Sequence, residues 1–118
     1  MWIQSPDFGF LSVVQKPGDD KKGVLTVRAR ARDHLQSFIN LLPEEDRGNY
    51  DIQEGGGTDY GFRIKMPKEV VGRLMQVSFE NIDYDNFKNR CHQTLDDNWC
   101  SVLGRFWGIH YDYQERHG

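Results

Sequence analysis

The sequence predicts an α+β fold: a two-layer sandwich with a four-stranded, mainly antiparallel sheet and helices on one face. The predicted order is ββαββα followed by a C-terminal helix. Three observations lead there. Period-two alternation recurs, as in "YGFRIKM", where Tyr60, Phe62, Ile64 and Met66 share one face and Gly61, Arg63 and Lys65 the other. Period-3.6 stripes recur between such segments, as in Leu35, Phe38, Ile39 and Leu42. The connections are of hairpin length, which favours antiparallel pairing, and apolar strand faces then meet apolar helix stripes.

In chain order, "FGFLSVVQK" (8–16) is rich in β-branched and aromatic residues and reads as a strand. The polar "PGDDKKG" connects it to "VLTVRARAR" (24–32), where Leu25, Val27 and Ala29 oppose Thr26, Arg28 and Arg30. These two segments predict a long-looped hairpin. Asp33 stands as an N-cap, with Gln36 completing a capping-box pattern, and Pro43 stops the helix that follows. "YDIQE" (50–54) is a short strand, "GGGTD" a loop and "YGFRIKM" (60–66) the fourth strand. Pro67 suits a helix N-terminus, and Val70, Val71, Leu74, Met75 and Val77 stripe the helix after it. A last helix begins near Asp96 or Asp97, with Trp99, Val102, Leu103, Phe106, a half-buried His110 and Tyr113 on one broad face.

At 118 residues the chain has the size of one domain, read here as 1–118. A domain of this size buries roughly two-thirds of its unfolded surface, enough to fold without staples. The net charge of −3 does not favour a general nucleic-acid binder. The start "MWIQSPDFGF" lacks the basic and apolar regions of a secretory signal. No apolar run approaches the roughly 20 residues that span a bilayer. Cys91 and Cys100 read as reduced structural thiols of a cytoplasmic protein, since their spacing is neither a redox nor a zinc pattern.

"NIDYDNFKNRCH" (81–92) is the most site-like segment. As a calcium loop it places Asn81, Asp83 and Asp85 at positions 1, 3 and 5, but the required glycine is Asn86 and the required bidentate carboxylate is His92. Cys91 and His92, adjacent on a helix, point about 100° apart and do not meet. The segment reads instead as a helix start at Asp83 or Tyr84. Asp83 would be the N-cap, and Ile82 and Phe87 the hydrophobic staple. "EGGGTDYG" (54–61) lacks the Lys-Ser/Thr and the following helix of a phosphate loop. No G-x-S-x-G elbow and no paired histidine ligands occur, so the sequence assigns no catalytic residue, metal ligand or cofactor.

Two surfaces remain. Arg28 and Arg30, and Arg63 and Lys65, share the non-core face of their strands and would form a basic patch for an anion or nucleic acid if the two strands lie close in the sheet. Solvated charge on the wet face of an antiparallel sheet is the default reading of them, and no aromatic is assigned beside them because the sequence leaves the register of Phe8 and Phe10 open. In "WCSVLGRFWGIHYDY", Trp107 and Tyr111 lie off the main stripe, so the last helix packs on two sides, against a partner protein or a second copy.

Several segments together, "MW", "GFLSVVQK", "LTVRARARDHL", "TDYGFRIKMP", "IDYDNFK" and the Trp-containing last helix, resemble a group of small, functionally uncharacterised bacterial and phage-type single-domain proteins. The "GDDKK" connector is longer here than in that group. The resemblance implies a single intracellular domain and brings no activity or site residues. The expected function is a non-enzymatic protein-interaction or regulatory module, of which a phage-type inhibitor of a host system is one concrete form. The alternative is an anion or nucleic-acid binder using the basic face, and neither reading involves a membrane.

Overall fold

The computed structural model describes residues 1–56 and 59–118. Contacts group the chain into two compact units, 1–83 and 84–118, where the sequence reading has one domain. The first unit contains β1 (Trp2–Ser5), β2 (Gly9–Val14), α1 (Asp19–Lys22), β3 (Val24–Ala29), α2 (Arg32–Ile39), α3 (Glu44–Arg47), β4 (Gln53–Glu54), β5 (Phe62–Pro67) and α4 (Lys68–Glu80). The second contains α5 (Phe87–Thr94) and α6 (Asp97–His117). The class is α+β, and one antiparallel sheet runs in the order β1-β2-β3-β5-β4.

Among the described residues the sheet has five strands rather than four. The additional strand, β1, is created by the turn Ser5-Pro6-Asp7-Phe8. Pro6 presets φ, Phe8 N–H donates to Ser5 O at 3.3 Å, and Asp7 N–H donates to Ser5 Oγ at 3.0 Å. Gly9, directly opposite Ser5, takes φ 89°, the left-handed conformation that closes such a hairpin. The same glycine lets α2 come close: a Cβ there would lie 2.6 Å from the His34 ring. His34 is buried, and its Nδ1 accepts the Phe10 N–H at 3.2 Å, pinning α2 to β2.

One face of the sheet carries the core. Leu11, Val13, Val27, Ala29, Ile64 and Met66 meet Leu35, Phe38 and Ile39 of α2 and Val70, Val71 and Leu74 of α4. Phe8 sits edge-on to Phe38, with centroids 5.3 Å apart. Helices are not confined to this face, because α1 projects Asp19 onto Thr26 and Lys65 on the opposite one.

Several local expectations need correction. Ala31, not Asp33, is the N-cap of α2; Asp33 falls in its first turn, where the helix dipole still favours a carboxylate. Tyr60 lies outside β5 and leaves the core face, because the strand begins only after Gly61. The helix after the 81–86 segment starts at Phe87, not at Asp83 or Tyr84. Asn86 is its cap, accepting from Asn89 N–H at 2.9 Å. Asn86 caps as well as Asp83 would. Ile82 and Asp83 belong to the first unit and Phe87 to the second. His110 is exposed rather than half-buried. In the loop read over 55–59, Gly57 and Thr58 lie outside the described residues.

Candidate functional site

The topology brings the predicted basic residues together. β3 and β5 are neighbours, with Arg28 opposite Arg63 and Thr26 opposite Lys65. Directly opposed like charges repel, and the structure answers with internal partners. Lys65 Nζ lies 2.6 Å from Asp19 Oδ1 and 2.8 Å from Thr26 Oγ1. The Thr26 hydroxyl and the Lys16 N–H each donate to Asp19 Oδ2 at 2.8 Å. The bond from Lys65 is the main reason the Asp19 carboxyl is held at about 2, below its ordinary 3.8. Burial opposes the shift, while Thr26 and the Lys16 amide reinforce it. This cluster ties the connector carrying α1 to the sheet.

The arginines are similarly engaged. Arg28 Nη2 donates to Ser12 Oγ at 2.7 Å. The Arg28 and Arg30 guanidiniums both lie over the Tyr60 ring, at 4.4 and 4.2 Å from its centroid. Arg63 Nη2 donates to Tyr60 O at 2.8 Å, and Arg30 Nη1 to Asp59 O at 2.9 Å. Aromatic side chains do occupy this face. Tyr60 is buried there, and Trp2, 69% exposed, packs edge-on against Phe10 at 5.6 Å. Sequence reasoning missed them because Tyr60 was read in the strand and β1 was not read at all. The "SPDFG" turn signature would have revealed β1.

The second unit has a small core of Cys91, Cys100 and Leu103, with Phe87, Leu95, Trp99 and Phe106 packed around it. Asp96 caps α6, accepting Trp99 N–H at 2.8 Å. Burial pushes the Cys91 thiol up to about 11, with Cys100 adding to the shift. Burial and then Asp97 and Asp96 also raise Cys100. Both thiols therefore stay protonated at neutral pH, unsuited to nucleophilic chemistry.

Beyond Phe106, α6 continues with its apolar side chains uncovered. Trp107, Ile109, Tyr111 and Tyr113 are all exposed. Trp107 and Tyr111, one turn apart, stack at 5.1 Å and 9°, and Lys88 Nζ lies 5.3 Å from the Trp107 centroid. Gly104 and Gly108, one turn apart, flank Phe106 and Trp107, and a Cβ at either would meet nothing within 4 Å.

No known protein family, curated protein or solved structure matches this chain. Among the described residues, no group of three or more His, Cys, Asp or Glu could hold a metal ion, and no helix is long and apolar enough to cross a membrane.

Proposed function

We propose that the chain is a non-enzymatic protein-interaction module that pairs through the distal half of α6 with a second copy of itself. The observation that carries this reading is the Trp107–Tyr111 stack: two large rings, 55% and 44% exposed, held parallel on a regular helix. Preordered aromatics lose little conformational freedom on binding and dominate interface energetics. Gly104 and Gly108 remove side-chain bulk beside them, so a second helix backbone can approach closely. A two-fold axis would set each stack against its counterpart.

The basic sheet face is the second reading. It is weaker because its cations already have internal partners: Lys65, though half-exposed, is bonded to Asp19, Arg28 to Ser12 and Arg30 to Asp59. Sedimentation equilibrium tests the first reading. Wild type should form a concentration-dependent dimer, and a Trp107→Ser/Tyr111→Ser variant should remain monomeric with unchanged helicity. A wild-type monomer at high concentration would remove the self-pairing version.

A further inference from the structure

A separate cleft lies in the first unit, where the sheet extends past α4. Its volume is about 340 Å³, and Ile3, Val13, Leu25, Val71 and Met75 form its apolar walls. We propose that it binds an unbranched medium-length alkyl chain carrying one anionic head, with the chain in the cleft and the head at Lys68.

Three features support this occupant. The first is Gly72, which lines the cleft from the interior of a 13-residue helix. Glycine is the poorest helix former after proline, and no packing within the chain requires it, because a Cβ at Gly72 would meet nothing within 4 Å. The missing side chain keeps the cleft wall open toward solvent, not toward another part of the fold. The second feature is charge. Lys68 sits at the rim in the first turn of α4, and no hydrogen bond or ion pair engages its side chain among the described residues. The Lys68 N–H donates to Gly23 O at 3.0 Å and no side chain caps that helix end, so the positive end of the helix dipole adds to the Lys68 field. Glu69 in the same turn is exposed and does not line the cleft. The third feature is size. The volume is at the low end of small-molecule pockets and suits a single chain, not a packed helix.

Calorimetric titration of the full chain with decanoate, decanol and decyltrimethylammonium, each below its micellar concentration, tests the proposal. Decanoate should bind saturably and most tightly, and the cationic amphiphile least. Gly72→Leu should weaken decanoate by more than about tenfold by filling the cleft, while the melting temperature stays level or rises. Lys68→Glu should weaken decanoate about threefold to fivefold without weakening decanol. If Gly72→Leu fails to fold, the wild-type Ile3 and Met75 methyl resonances provide the second measurement, and decanoate should shift them. Absence of saturable binding, equal affinity for all three amphiphiles, or unmoved methyl resonances would overturn the proposal. So would a Gly72→Leu variant whose oligomeric state changes while its decanoate affinity does not.

Discussion

Among the described residues, the first unit packs fourteen buried apolar residues into one continuous core, whereas the second has three. Their surfaces differ in the opposite sense. On the outer sheet face of the first unit, the predicted site residues are occupied: Lys65 by Asp19, Arg28 by Ser12, and Arg63 by Tyr60 O. In the second unit, α6 outruns the eight-residue α5 and leaves stacked aromatics uncovered. The contrast teaches that charged residues clustered on a sheet face can be structural cross-links, while aromatic residues on a helix can lie exposed. A helix of marginal tertiary support gains stability from whatever covers it.

The sharpest way to break the comparison is at Gly9. Gly9→Ala adds strain at a positive φ and drives a methyl group into the His34 ring. The first unit should lose about 3 kcal/mol in chemical denaturation. A loss below about 1 kcal/mol would mean that the contact between α2 and β2 is looser than described.

The next effect concerns acid. Asp19 titrates at about 2 in the folded chain, against an ordinary 3.8, so the native state binds fewer protons than the unfolded state between those values. The stabilisation is complete above 3.8 and is lost as the pH falls through 2. Lys65→Met removes the largest cause of the lowering. The Asp19 carboxyl should then titrate higher, and acid destabilisation should begin at a higher pH in thermal melts taken between about pH 5 and pH 2. Identical acid profiles for variant and wild type would show that the ion pair is only decorative.

The smallest effect separates the two units. Asp96→Ala deletes the α6 cap and should cost about 1 kcal/mol, seen as faster amide exchange in α5 and α6. Protection of β2, β3 and β5 should be unchanged. Parallel loss of protection in the sheet would mean that the chain unfolds as one cooperative body.

Much of this architecture was legible locally. β-Branched and aromatic content located β2, alternation located β3 and β5, apolar stripes located α2 and α4, and the start of α6 was placed near Asp96 or Asp97, where Asp96 caps it. The errors share a cause. Asp83 and Asn86 are equally good caps, so local chemistry could not choose between them, and Asn86 is the one that begins the helix of the second unit. Tyr60 continued an alternating pattern, yet the chain leaves the strand at Gly61 and places the ring over Arg28 and Arg30.

The sequence by itself determined the α+β class, the core-facing side of β3 and of β5, and the placing of Arg28, Arg63 and Lys65 on the opposite side of those two strands; their adjacency came from the topology. A period of two leaves a strand only two faces to present. Tertiary structure alone decided whether those charges were available. The partner that takes Lys65 is Asp19, which comes from a connector with no periodicity to read. It also decided that Gly72 would open a cleft and that Trp107 and Tyr111 would remain uncovered, because burial depends on what lies across from a residue in space.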